Sequence, residues 1–489
     1  MATIPSLRQR PLALTVALVL GIGSVNAATI TVTDGGDAGT STTCTLRQAL
    51  ETTSTQAAVG SCTLGTGNDT VQFASGLANT TIALGGTPLT VANATVNLVG
   101  SGQTLDANGG NGVLLLDHAP LTLSDATVTG SVAPTSGQSY PAIIGKYSDV
   151  TLNRVTITGN PSGGMLATNG NVSLTDSAIT NNGSNLFGGL IAMLGNLSLV
   201  RSVVSNNAGA FGAAGVVAGS PSSPSNTSQL TMLDSSIANN RLDMAAKYGG
   251  GGGSKYGGAG GMIGSFNTAT ITGSSISGNS VAGVVPANPS STSSVAFAGM
   301  MMAVYSSATI TNTTIAANTT SGAMQAAGGL AISANPTYPS TLNFDNVTVS
   351  GNTATAVAAG PSPSQAIGGM MVADATTATI NLNNTIVAGN TGATANDILS
   401  MNGNLASVAG SLLGNALAST YPGNGNVFSD APGLGALANN GGLTQTLLPL
   451  AGSPALDAGN NALVPMGVTT DQRGVGFPRI VAGTVDIGA

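Results

Sequence analysis

Five charged residues recur at one place in a repeated unit: Asp125, Arg154, Asp176, Arg201 and Asp234. Each is the fifth residue of an eleven-residue stretch such as VSLTDSAITNN, Val172–Asn182. If successive units stack, these side chains form a row of alternating sign. Two kinds of chemistry suit such a row. An arginine flanked by carboxylates can act as a base while the carboxylates hold Ca²⁺ against an acidic substrate. Arg154 and Arg201 around Asp176 are the residues that would do this. The simpler expectation is that the opposite charges pair from unit to unit and hold the units in register. It is preferred, because catalytic groups gather with other functional groups, whereas this row runs out into Gly273, Asn312, Asn346 and Asn384.

A second candidate lies in two insertions. Asn240 is followed by RLDMAAKYGGGGGSKYGG and Asn279 by SVAGVVPANPSSTSSVAFAG. Arg241, Lys247, Tyr248, Lys255 and Tyr256 combine cations and rings on a glycine-rich tether, which suits an acidic or neutral glycan through charge and ring stacking. Insertions of repeat proteins commonly project as binding loops; the competing reading is a linker without a partner. His118 is the only histidine. No G-x-S-x-G elbow accompanies it for a Ser-His-Asp triad, and Cys44 and Cys62 lack the spacing of a zinc site. His118 is therefore expected to be a solvated turn residue. No metal or cofactor is expected, Ca²⁺ entering only if the charge row acts as an arginine base beside metal-holding carboxylates.

The elements that must carry these residues are legible from the repeat. VTLNRVTITGN begins at Val150, LSLVRSVVSNN at Leu197, LTMLDSSIANN at Leu230, ATITGSSISGN at Ala269, ATITNTTIAAN at Ala308, LNFDNVTVSGN at Leu342 and INLNNTIVAGN at Ile380. Apolar residues at the first, third and eighth positions predict two short strands separated by a bend. Glycine pairs upstream, such as Gly163-Gly164, Gly188-Gly189 and Gly260-Gly261, mark the start of a further strand. No such unit can bury its own apolar face, so the units must stack, and the architecture expected is all-β, a parallel β-helix. Asn at the eleventh position is expected to take the left-handed corner conformation and to bond to the Asn of the next unit. Asn160, Asn182, Asn207, Asn240, Asn279, Asn318, Asn352 and Asn390 would form that ladder.

Composition agrees. Only 6% of the 489 residues are charged, Gly reaches 70, Trp is absent and Glu51 is the single glutamate. Helix formers are scarce and β-branched residues plentiful. At the start, Arg8 and Arg10 precede PLALTVALVLGIG, and Val25-Asn26-Ala27 offers a cleavage site, so residues 1–27 read as a signal peptide. That run is too short to span a membrane, and no later segment does better. The remainder carries nine basic against 18 acidic side chains, a sign that disfavours nucleic acid. Export to an oxidising compartment makes a Cys44–Cys62 disulfide the expected state.

The ends carry a resemblance. ATITVTDGG…CTLRQAL, followed by GNDTVQF, TTIALGG and NLVGSGQTLDANGG, resembles the N-terminus of bacterial exported β-helix proteins of the CSLREA type; Cys44, Leu46, Arg47 and Ala49 fit that motif and Thr45, Gln48 and Leu50 depart from it. NNGGLTQTLLPLAGSPALDAGN…TDQRGVGFPRIVAGTVDIGA is similar to the choice-of-anchor Q domain of bacterial surface proteins. The resemblance implies a right-handed, pectin-lyase-like solenoid with an N-terminal cap, secreted or displayed at the cell surface. The division expected is a cap and first coils over 28–110, repeat coils over 111–390, and C-terminal coils and cap over 391–489. The chain stops at Ala489 with no sorting tail, so release is expected if nothing follows. Parallel β-helix polysaccharide lyases supply the alternative function, acting on uronate-containing polymers, but the NTD, DD, GHG and RIK set and the RxPxxR motif are absent, and Leu116-Asp117-His118 only faintly echoes a pectate-lyase triplet. The preferred expectation is a non-enzymatic structural or adhesive protein whose partner is an extracellular polysaccharide or a cell-surface component.

Overall fold

The computed structural model describes residues 27–489 apart from 136–138, 185–187, 211, 220–227, 245–255, 283–293, 324, 335–339, 357–364, 373–377 and 401–404. The fold is all-β with long parallel sheets. Each strand pairs with the corresponding strand of the next repeat. One ladder runs through Leu89–Ala92, Leu114–Asp117, Ile143–Lys146, Met165–Thr168, Leu190–Met193 and Val216–Gly219, and on to Ile398–Ser400. A second contains the opening residues of the eleven-residue unit, so that Val172 pairs with Val150 on one side and Leu197 on the other. The third contains the eighth position, where Ile179 pairs with Ile157 and Val204.

Alternation decides which side chains enter the core. Met165, Ala167, Val172, Leu174 and Ile179 are each no more than 1% exposed and belong to one continuous cluster. Their equivalents stack above and below them, so each coil is buried by its neighbours rather than by itself.

Left-handed bends make this stacking possible, one of them after the first strand at Asn93, His118, Tyr147, Asn169 and Leu194. The fifth position is left-handed in every coil from Asp125 to Asn384, and the tenth likewise, through Gly159, Asn181, Asn206, Asn239, Gly278, Ala317, Gly351 and Gly389. The corner therefore turns at the tenth residue. This corrects the expectation that the eleventh takes the strained backbone; there it is the side chain that matters. Asn182 Nδ2 donates to Asn207 Oδ1 at 3.1 Å and to the Ile157 carbonyl at 3.0 Å, while its backbone N–H donates to the same Asn207 Oδ1 at 3.0 Å. The pattern repeats from Asn160 to Asn390 and ends on the Asp397 carboxylate, 2.9 Å from Asn390 Nδ2. A glycine row runs beside it: a Cβ on Gly189 or Gly261 would strike the carbonyl of the next glycine and crowd the ladder amide. At the sixth position buried hydroxyls form a further row, Ser202 Oγ accepting from Ser177 N and Ser235 Oγ from Ser202 N.

The insertions build more than loops. Arg241–Asp243 pairs with Ser280–Ala282 and that with Thr319–Ala323, while Tyr256–Ala259 pairs with Ser294–Phe297 and that with Gln325–Ala327. Two extra parallel sheets result, with Ala214, Leu242, Met244, Val281 and Ala296 buried in a cluster of their own. A rise of one strand per repeat carries the insertions upward in step with the coils.

Both ends of the stack are covered. At the start, Leu46–Thr55 is a helix opened by a capping box: Gln48 N donates to Thr45 Oγ1, and Gln48 Oε1 accepts from Thr45 N. Leu46, Ala49 and Leu50 from this helix close the main core. The Cys44–Cys62 disulfide is formed, and Arg47 grips Asp37 with Nε and Nη2, while Nη1 donates to the Pro88 carbonyl and Nη2 also to the Thr87 carbonyl. At the far end Val427–Phe428 adds a last parallel strand on Leu412–Leu413, Leu417, Tyr421 and Phe428 pack against the main core, and the chain then returns along the side of the stack.

Candidate functional site

The charge row lies on the bend between the second and third strands, and its left-handed backbone holds every side chain outward. It is a set of pairs rather than a continuous ladder. Arg154 Nε and Nη2 meet the Asp125 carboxylate at 2.6 and 2.7 Å, and Arg201 meets Asp176 in the same two-pronged way at 2.7 and 2.8 Å. Each guanidinium has reached back to the preceding coil and used its fork there. The hydrogen bond from Arg154 holds the Asp125 carboxyl below its usual range, that from Arg201 does the same for Asp176, and the carboxylates push both guanidinium groups up. A base must give up its proton, and this pairing moves Arg154 and Arg201 the opposite way. The recess beside Arg154 is shallow and solvent-open, lined by Gly100, Ser101, Asp125 and Thr127 among others. Among the described residues, no three His, Cys, Asp or Glu side chains gather to hold a metal ion.

Asp234 ends the row. Burial pushes its carboxyl up, against the attraction of Arg201, and a side chain on Gly273 would strike it. Beyond it the row is covered by the returning C-terminal segment. Thr444 Oγ1 donates to the Gly273 carbonyl at 2.9 Å, Asn312 Nδ2 donates to the Thr470 carbonyl at 2.8 Å, and Asn384 exchanges two bonds with the backbone of Asn460. Gln472 is buried in this contact, accepting from Thr314 Oγ1 at 2.6 Å and donating to Thr444 Oγ1 at 2.9 Å. The TDQRG stretch thus serves as a clasp, with Asp471 paired to Arg473 and Arg473 lying over the Phe477 ring. The charges give way to Gly and Asn because those positions lie under protein.

Of the insertion residues, Arg241 sits on a strand, exposed, with Nη2 3.3 Å from Asp243 Oδ2. Tyr256 opens the strand Tyr256–Ala259. Lys247, Tyr248 and Lys255 lie outside the described residues. Sequence reasoning passed over Tyr147. In the structure its ring stacks on that of His118, which is therefore more than a solvated turn residue. The signal was one of position: Tyr147 follows a strand end by the same count as His118.

No family model matches the chain, and no curated protein matches it either. Among the described residues, no helix is long and apolar enough to cross a membrane.

Proposed function

We propose that the chain is a right-handed parallel β-helix of the CSLREA and choice-of-anchor Q type, exported by its first 27 residues, and that it works outside the cell or on its surface as a structural and adhesive protein with a glycan as partner. The observation that carries this reading is where the polar groups go. The asparagine and serine rows and the Arg154–Asp125 and Arg201–Asp176 pairs are engaged in bonds from coil to coil, which is what a rigid scaffold requires, and both arginines are held in those pairs rather than poised as the base of a lyase. The parallel pairing of each strand with the next repeat supports the solenoid, and a disulfide fits an oxidising compartment. About twelve coil steps of ~4.8 Å would make a stack roughly 60 Å long.

The test is expression of the full chain with a C-terminal tag in a bacterial host. The expected result is a processed protein beginning at Ala28 outside the cytoplasm, elongated in small-angle scattering, that makes a coated surface adhesive and releases no unsaturated uronates from alginate or pectate. Cytoplasmic retention of the unprocessed chain, or uronate release that disappears in Arg154→Ala or Arg201→Ala, overturns the proposal.

A further inference from the structure

The corner between the first and second strands is turned in successive coils by Asn93, His118, Tyr147, Asn169 and Leu194, all left-handed. Asn is the easy choice there, because its short polar side chain tolerates that backbone, whereas a bulky side chain such as that of Tyr takes it up only at a cost. Two adjacent coils nonetheless place rings at the corner. The rings of His118 and Tyr147 stack with centroids 4.8 Å apart and planes 15° from parallel. Both are open to solvent, Tyr147 at 57% and the His118 side chain at 58% exposure. The chain is otherwise poor in aromatics, and Phe266, Phe297 and Phe344 are buried. Core packing therefore does not account for this pair.

Polar groups surround the stack. Strand pairing sets Asp117 opposite Lys146 in the adjacent coil. Asp117 Oδ1 lies 2.9 Å from His118 Nδ1, which fixes the ring and leaves Nε2 for another partner. Among the described residues, Nε2 of His118, the Tyr147 hydroxyl and the Lys146 ammonium make no hydrogen bond or ion pair. The order of pairing, Asp117 to Lys146 to Thr168, places the second face of Tyr147 toward the coil of Asn169, with exposed Leu194 one coil further.

Resting on the reading of this chain as a glycan-binding scaffold, we propose that the His118–Tyr147 corner is its saccharide site and that it takes a neutral polysaccharide. A sugar ring presents an apolar C–H face to the solvent-exposed part of the Tyr147 ring, and its hydroxyls donate to Asp117 and accept from Lys146 and the Tyr147 hydroxyl. An acidic sugar is disfavoured, because Asp117 and exposed Asp149 adjoin the corner and the chain from Ala28 onward carries nine basic against 18 acidic side chains.

The experiment is affinity electrophoresis of the full chain through gels holding soluble neutral glucan, xylan or mannan, with alginate as the acidic comparison. The paired variant His118→Asn with Tyr147→Asn restores the residue found in the coils on either side, so folding is kept and a melting curve checks it. The parent is expected to be retarded by at least one neutral polymer, little changed by salt, and the paired variant to bind at least tenfold more weakly. Equal retardation of parent and variant overturns the site while leaving the adhesive reading intact. Retardation of the parent by alginate alone overturns the ligand class. A parent that binds none of the polymers yet still renders surfaces adhesive overturns this inference only; one that neither binds nor adheres overturns the function itself.

Discussion

Asn207 joins three coils: its Nδ2 donates to the Ile179 carbonyl at 2.9 Å and to Asn240 Oδ1 at 3.0 Å, and its own Oδ1 accepts two bonds from Asn182. Replacing it by Ala leaves several buried groups without partners at about 1–3 kcal/mol each, so Asn207→Ala is expected to lower stability by more than ~3 kcal/mol in urea unfolding. Ala317 is the contrary case, an alanine at a left-handed tenth position where the equivalent coils carry Gly or Asn. Ala317→Gly is expected to stabilise by about 1 kcal/mol, since the strain of a Cβ there exceeds the added chain entropy. The ladder's last member is a carboxylate. Burial pushes Asp397 up, against the hydrogen bonds from Asn390. A raised folded-state value means that the native protein holds the proton more tightly than the unfolded chain, so this residue's contribution is best at low pH and is lost as pH rises through the folded value. Asp397→Asn removes that loss: the variant is expected to melt higher than the parent at pH 7, and the gap is expected to close in acid below the ordinary carboxylate range. At this scale the sequence showed which residues recur but blurred two roles. The tenth position accepts Gly, Asn or Ala, the mark of a demand on backbone, while the eleventh keeps Asn, the mark of a demand on the side chain.

Strands and their order were legible because the period-2 alternation of each eleven-residue unit is long and repeated. The extra sheets were not. Arg241–Asp243, Ser280–Ala282 and Thr353–Ala356 are short and paired with their equivalents in the adjacent coils, so no single segment carries a periodic signal. The coils starting at Val216 and Met300 were similarly hidden because Ala214 and Ala298 replace the first glycine of the pair; only the second, Gly215 or Gly299, is dictated by contact with the ladder. The clasp was visible as a motif and mute as a mechanism, since its contacts span more than 150 residues of chain. Gln472 is its buried polar link, also donating to the Gln445 carbonyl at 3.1 Å. Gln472→Ala is expected to cost about 2–4 kcal/mol through lost packing and unpaired hydroxyls. Loosening should be local: limited proteolysis is expected to cut between residues 440 and 480 sooner than in the parent, with the coil core still protected.

A stack of parallel strands has two open ends, and each end is a template on which another chain can pair. The N-terminal end is closed by the helix Leu46–Thr55, whose Leu46, Ala49 and Leu50 complete the core, with Ser54 Oγ accepting from Ala92 N. This helix is short and has no stability of its own in water. What holds it is tertiary: the Arg47 contacts and the disulfide, which joins residues 18 apart and stabilises by roughly 3 kcal/mol in the chain-entropy picture. Coils further along are each fixed on both sides by neighbours, so loss of the cap need not unfold them. The paired variant Cys44→Ser with Cys62→Ser is therefore expected to keep the β-sheet signal and most of its melting transition, while the first coils exchange amide hydrogens faster. Their uncovered strands should then meet those of other molecules, and light scattering after size exclusion is expected to show end-to-end oligomers that grow with protein concentration. A variant that stays monomeric, with unchanged exchange in the first coils, would mean that the Arg47–Asp37 pair alone is enough to keep the cap closed.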